Sequence, residues 1–392
     1  MPTSTPRSIP LVSRPLALYF VAAFGAMVSF YLLLSVVPLY ATAIGTNGVG
    51  AGLTTGALMF ATVAAELAMP ALLARFGYRG MLSAGLVLLG APALALSLSA
   101  SLPAILAISL VRGIGLAVAV VAGSSLVATL APDERRSEAL GLLGVVVGIP
   151  AVVALPLGVW LAQHIGFPPV FVAAAVAALG CLVVMPAMPG RTNHAVAPVG
   201  VLDGLRMAGQ VRPVMVFLLT AMGAGIVVTF LPLATRTSGG LAAPALFANA
   251  VCSTLARWWA GRYGSRHGQS GLLVAGVVAC AVGMLALALG ARPVPVVAGA
   301  VLLGLGFGIA QNASLTLMFE RVSLSGYDMV SAVWNLSYDA GLGLGATGFG
   351  VLAARAGYPG AFGAAGLLML LALAPVWLDR RWLVPAEDAR GG

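Results

Sequence analysis

The stretch PALLARFGYR, residues 70–79, returns 191 residues later as GRYGSRHGQS, residues 261–270, with Arg266 in the place of Arg75 and Gly268 in the place of Gly77. Each copy joins two long apolar runs. SVVPLY at 35–40 is echoed by TFLPLA at 229–234 with a spacing of 194, and RGIGLA at 112–117 by LGFGIA at 305–310 with a spacing of 193. Three offsets this close mark an internal duplication. The nature of the doubled unit follows from the composition of the runs between these landmarks.

Of the 392 residues, 60% are hydrophobic and 8% charged, against about 25% charged in an average soluble domain. Nothing ionisable lies between Arg14 and Glu66, between Arg79 and Arg112, or, His164 aside, between Glu138 and Arg191. A membrane-spanning helix needs about 20 apolar residues. Twelve spans fit, at 15–44, 49–73, 80–100, 103–131, 138–162, 168–188, 213–235, 243–261, 271–291, 294–318, 327–353 and 358–378. The one long polar segment, residues 189–212, separates six from six. The expected organisation is therefore an all-α membrane protein of two pseudo-symmetric six-helix bundles, 1–188 and 213–392, joined by a cytoplasmic linker at 189–212. Parallel repeats of this kind place a binding site between the halves, near mid-membrane.

The formal charge of +9 comes from 20 arginines and no lysine. They are scattered at span ends rather than gathered into a patch, which argues against nucleic acid. With the N-terminus inside, 15 arginines fall in cytoplasmic segments, three (Arg236, Arg292, Arg355) outside and two within spans, a strong positive-inside bias. Both termini are thus expected in the cytoplasm. The first apolar run is too long for a signal-peptide core and is kept as a span. Arginine without lysine, beside abundant alanine, glycine and valine, suggests a GC-rich bacterium, and hence its inner membrane. Cys181, Cys252 and Cys280 sit singly in three spans and read as small apolar residues. The three isolated histidines offer no metal-ligand spacing, and no cofactor is indicated.

Over its whole length the chain resembles the major facilitator superfamily. That family's loop signature after the second span is GxxxDRxGRR. Here Arg75 and Gly77 remain, while Pro70 replaces the glycine and Ala74 the acid; the second copy keeps Gly261, Arg266 and Gly268, with Ser265 where the acid stands in the family. The resemblance implies alternating access and a gating role for this loop, but the acid thought to latch one state is missing. GVVVGIPAVVALPLG at 144–158 resembles the fifth-span signature of drug and metabolite exporters within that superfamily. Gly144 and Gly148 form a GxxxG step suited to close helix approach, Gly158 closes the stretch, and Pro150 and Pro156 free backbone carbonyls and permit bending.

Four charged residues lie inside spans: Glu66, Arg112, Arg257 and Asp339. A charge at bilayer depth costs on the order of 2.5–3.5 kcal/mol on insertion scales and is retained for a partner, a cavity or an ion. Arginine stays protonated and can hold a carboxylate, whereas Asp339, in VWNLSYDAGLGLG at 333–345, can be switched by a proton. From their depths Arg112 is expected to reach toward Asp339 across a cavity. The structural alternatives are Arg112 on backbone carbonyls and Asp339 bonded to Asn335, one turn earlier. Glu66 and its repeat counterpart Arg257 put opposite charges at equivalent depths, with Glu66 expected in a gate-stabilising ion pair or hydrogen bond. Tyr31, Thr229, Gln311, Asn312, Trp334, Asn335 and Tyr338 are the expected cavity contacts, a mix suited to an amphiphilic or aromatic organic molecule.

The expected activity is export of a small organic molecule in exchange for protons by a monomer in the bilayer. An importer or uniporter of the same fold is the nearest alternative. A membrane-embedded enzyme is more remote, because no cluster of His, Cys or carboxylates gathers at one depth near the surface; DERRSE at 133–138 reads as a cytoplasmic turn.

Overall fold

The computed structural model describes residues 13–130, 135–188, 208–238, 240–267, 269–290, 292–322, 327–371 and 373. Most of the expected linker, 189–207, lies outside them, as do Gly268 and the side chain of Arg266. The described chain is helical: α1 (Arg14–Leu34), α2 (Val36–Ala43), α3 (Gly48–Ala95), α4 (Leu102–Leu130), α5 (Arg136–His164), α6 (Phe167–Leu179), α7 (Ala208–Ala234), α8 (Ala242–His267), α9 (Gln269–Leu287), α10 (Pro293–Phe319) and α11 (Tyr327–Leu370). A 3₁₀ stretch, Gly180–Ala187, prolongs α6. Expected span 1 is α1 plus α2, broken at Ser35, where Pro38 has no N–H to offer the carbonyl of Leu34. Spans 2 and 3 are the two arms of α3, and spans 11 and 12 the two arms of α11.

Nine stretches of the described residues are long and apolar enough to cross a membrane. The expected spans beyond these nine are α8 and the two arms of α11. The first arm of α11 carries Asn335, Tyr338 and Asp339, and α8 carries Arg257 and Arg262. The second arm of α11 is described only to Leu371 and Leu373. Polar side chains concentrated on helices that face the bundle interior depress their hydropathy, a pattern of function rather than of exposure to water.

The duplication is visible in backbone contacts. A Cβ on Gly113 of α4 would collide with the carbonyl of Leu58 in α3, and one on Gly304 of α10 with the carbonyl of Asn249 in α8. Gly85 and Gly115 face each other as Gly276 and Gly306 do. Every partner in the second set lies 191 residues after its counterpart. This corrects the expected register of the fourth span: RGIG at 112–115 matches LGLG at 303–306, so Arg112 corresponds to Leu303 rather than to Leu305. The hinges repeat too. Gly77, Gly166 and Gly357 have φ of 70°, 86° and 67° with ψ of 168°, 176° and 170°, a backbone open to glycine and closed to other residues. Each precedes an aromatic residue, Tyr78, Phe167 or Tyr358, and Gly166 and Gly357 are themselves 191 apart.

The fifth-span expectation needs correction. Nothing lies within 4 Å of a Cβ built on Gly144 or Gly148, so this GxxxG step is not a helix contact. Gly158 is, because its Cβ would strike the backbone of Leu32 in α1. Pro150 and Pro156 sit buried inside an unbroken α5.

Between bundles, α3 packs on α11 and α5 on α8. Gly48, Gly52 and Gly56 of α3 present a small residue every turn to Gly343, Ala346, Thr347 and Gly350 of α11; a Cβ on Gly350 would lie 2.6 Å from the carbonyl oxygen of Gly48. Beside this seam the Thr55 and Thr229 hydroxyls are 3.1 Å apart, and Ser35 donates to the carbonyl of Val228. All of these are at the end of the molecule that holds Asn47. Toward the opposite end, marked by Gly77, packing is thin: residues 141–149 of α5 include none that is buried, and residues 252–263 of α8 bury only Ala256 and Ala260. The bundles pack closely on one another at the Asn47 end and thinly, among the described residues, at the Gly77 end.

Replacing Gly113 or Gly304 by leucine is expected to abolish folding or lower the melting temperature sharply, since each clash is with backbone. Gly144→Ala and Gly148→Ala are expected to stay within about 0.5 kcal/mol of the parent protein. Thermal unfolding of the purified protein in detergent separates the two classes.

Candidate functional site between the bundles

Between the two bundles, four helices bring together six of the residues expected from the sequence: Tyr31 from α1, Glu66 from α3, Arg257 from α8, and Trp334, Tyr338 and Asp339 from α11. The carboxyl groups of Glu66 and Asp339 are neighbours across the two bundles. Asp339 is 6% exposed, and Oε1 of Glu66 is buried without any hydrogen-bond partner. Each acid comes from a different bundle, so their contact bridges the two.

A second bridge lies beside the first. The hydroxyls of Tyr31 and Tyr338 lie close to each other. Both hydroxyls lie near Asp339 and near Arg257. No carboxylate lies within ion-pair distance of Arg257 among the described residues. Its guanidinium sits 5.9 Å above the Trp334 ring, at the outer limit of a cation–π contact. Arg257 is exposed although surrounded by the site's other groups, which puts it on the wall of the opening.

The floor is aromatic. Phe217 of α7 stacks on Trp334 with centroids 4.5 Å apart and planes within 8°. Phe217, Phe307 of α10 and Tyr338 extend the stack at 6.0–6.2 Å. Trp334 is fixed by its indole N–H, which donates to Oγ of Ser314 at 3.2 Å. Phe217 and Phe307 were not expected from the sequence. In apolar helices an aromatic ring carries no signal of its own, and only the fold reveals that these two share a plane with Trp334.

Arg112 is elsewhere. Only 1% exposed, it donates from Nε to the carbonyl of Leu89 and from an Nη to that of Ser29, both at 3.1 Å. The expected pairing with Asp339 therefore fails: Arg112 ties α4 to α3 and α1 inside one bundle. Beside it a cavity of about 10 Å³, lined in part by Thr54, Thr55 and Ser109, has room for one water. Asn335 is not the partner of Asp339 either, because its amide donates to the carbonyl of Ser331 at 2.9 Å. Thr229, expected on a cavity wall, is fully buried in the closed seam. Gln311 is half-buried on α10, and Asn312 packs inward against Gly261 of α8. Arg75 is exposed at the end of the first arm of α3, its guanidinium 5.3 Å from the Phe76 ring, next to the hinge at Gly77.

The sequence profile of the Major Facilitator Superfamily matches residues 19–346. The chain belongs to the major facilitator superfamily. It is a multi-pass membrane transporter of small solutes, not an enzyme. Among curated proteins none matches the sequence. Solved structures share the superfamily's fold at low identity. A POT family transporter in complex with 5-aminolevulinic acid superposes with a TM-score of 0.77 at 13% identity, covering 96% of this chain and 99% of that one. The nucleoside transporter NupG gives 0.75 at 12%, covering 92% and 100%. The xylose transporter XylE from E. coli, in a partially occluded inward open conformation, gives 0.72 at 14%, covering 93% and 98%.

Arg112→Ala removes two hydrogen bonds donated by a buried charged group to the carbonyls of Ser29 and Leu89, each worth about 1.5–3 kcal/mol. It is expected to cost roughly 3 kcal/mol of stability, with Arg112→Lys recovering part of it. Equilibrium or thermal unfolding in detergent checks this. An unchanged melting temperature for Arg112→Ala would show the clamp to be energetically idle.

Proposed function

We propose that this transporter exports a small organic molecule across the inner membrane of a bacterium in exchange for protons, with Glu66 and Asp339 as the coupling pair. One observation carries the reading: two acids, one from each bundle, meet inside the molecule at the base of the opening. Two carboxylates in contact repel by about 4 kcal/mol at 4 Å and an effective dielectric constant of 20. The free-energy gap between alternating states is a few kcal/mol. A shared proton therefore suffices to hold the bundles together at this point, and its loss suffices to push them apart. A positively charged group on the cargo can take the proton's place. Proton and cargo then compete for one pair of carboxyl groups, and competition of that kind gives exchange rather than co-transport.

The groups facing the pair are Tyr31 from α1, Tyr338 on the same helix as Asp339, and, beside the tyrosines, Arg257 from α8. Tyr31 and Tyr338 provide the second bridge that must break as the bundles rock. Arg257, Trp334 and Tyr338 contact cargo in the parted state; Gln311 and Asn335 border the same space. Arg112 holds its bundle rigid. The arginine distribution puts both termini and the Gly77 end in the cytoplasm, so the opening faces inward and the glycine seam of α3 and α11 closes the outer side. Arg75, Gly77, Arg266 and Gly268 form the cytoplasmic gating loops, with the bundles 1–188 and 213–392 moving about the linker 189–212. One chain holds both bundles, and the monomer is the working unit.

Collapsing the proton gradient in cells expressing the protein is expected to raise retention of its cargo, and an importer of the same fold would lower it. In proteoliposomes, Asp339→Asn and Glu66→Gln are each expected to reduce gradient-driven flux at least tenfold while exchange of labelled for unlabelled cargo persists. Flux equal to the parent protein's in both variants would remove the carboxyl pair from the coupling step.

A further inference from the structure

Resting on the reading that the inter-bundle opening is the cargo site, we infer that the cargo is a zwitterion with an aromatic body, its ammonium group seated on Glu66 and Asp339 and its carboxylate on Arg257.

The charges of the site lead there. Glu66 and Asp339 form the acidic end of the site. Arg257 carries one fixed positive charge. The site is polarised, because its two ends form no ion pair among the described residues. Each end is short of a partner. Oε1 of Glu66 is buried with nothing to accept from, and the guanidinium of Arg257, whose N–H groups make no hydrogen bond among the described residues, meets only the face of Trp334.

A cargo with a positive charge alone satisfies the acids but brings a second cation toward Arg257. A cargo with a negative charge alone satisfies Arg257 but meets the charge shared by the acids. A zwitterion completes both ends with no net charge added. A guanidinium and a carboxylate also match in planar two-pronged geometry, which favours a carboxylate over a rounder anion at Arg257.

The body of the cargo is set by the floor. Phe217, Phe307, Trp334 and Tyr338 lie with ring planes within 8–24° of one another in the contacts above. Phe217 is fully buried, whereas Phe307 and Tyr338 are partly open, so the accessible side of the cluster is aromatic and suits a flat ring. When the ammonium group docks, the proton held by the acid pair leaves to the water of the opening. Exchange thus follows from the same contact.

Three probes share one ring and differ only in charge: tryptophan (zwitterion), tryptamine (cation) and indole-3-propionate (anion). Binding of each to the detergent-purified protein is to be measured by calorimetry at a single pH. Tryptophan is expected to bind at least tenfold more tightly than either of the others. In Arg257→Gln, checked for folding by its melting curve, tryptophan should fall to the affinity of tryptamine. Tryptamine binding as tightly as tryptophan in the parent protein overturns the assignment whether or not the variant folds; so does binding of none of the three. This binding order is read without a gradient. A failure of proton coupling in proteoliposomes therefore leaves it standing, and its own failure leaves coupling by the acid pair intact.

Discussion

A carboxyl group inside a bilayer needs a partner, and here each of two buried acids has the other. Neither Arg112 nor Arg257 neutralises them. An acid paired with an arginine within one bundle is a stable fixture that holds through a cycle. An acid beside an acid across two bundles is a contact that a proton can stabilise. In the proposed cycle, the placement of Glu66 on α3 and Asp339 on α11 ties the relative position of the two bundles to their protonation, a coupling that no arrangement of the same residues inside one bundle provides.

The rest of the molecule keeps the bundles rigid enough for this contact to matter. Within each bundle, glycines bring backbones together: Gly113 on Leu58 and Gly115 on Gly85, then Gly304 on Asn249 and Gly306 on Gly276. Side chains interlocked on backbone leave little freedom to shear. The seam between bundles differs, because Gly48, Gly52 and Gly56 lie along a face that meets α11 mostly through small residues. Close packing of small residues is favourable in a membrane, and it contains few interdigitated side chains to withdraw when the bundles part. Strength is placed inside the bundles and separability between them.

The fold was legible in the sequence, since apolar runs, arginine placement and the duplicated loop at 70–79 all report on the bilayer, a physical constraint that acts on local sequence. The site was legible in part. Glu66, Arg257 and Asp339 were visible because charge inside a span is costly. Their mutual arrangement was not, since pairing depends on which helices face one another across the bundles. Arg112 illustrates this: depth along its helix suggested a reach to Asp339, while its rotation about the helix axis turns it toward the carbonyls of Ser29 and Leu89. Gly144 and Gly148 failed for a related reason. A GxxxG step allows close approach, but only a facing helix uses it, and along this part of α5 none does. Phe217 and Phe307 had no signal at all in an apolar sequence.

Duplication alone would have produced a symmetric cleft with like charges facing like. The scaffold retains the two-fold relation at its glycines and hinges, whereas the functional positions abandon it: Glu66 corresponds to Arg257, and Arg112 to Leu303. Symmetry in the backbone lets either end open by the same motion, which alternating access requires. Asymmetry in the charges gives the proposed cargo site an acidic side and a basic side, and with them one preferred orientation for a cargo molecule of matching charges. A duplicated carrier gains selectivity where the two copies stop agreeing, and in this chain Glu66 and Arg257 are such a pair, equivalent in the repeat and opposite in charge.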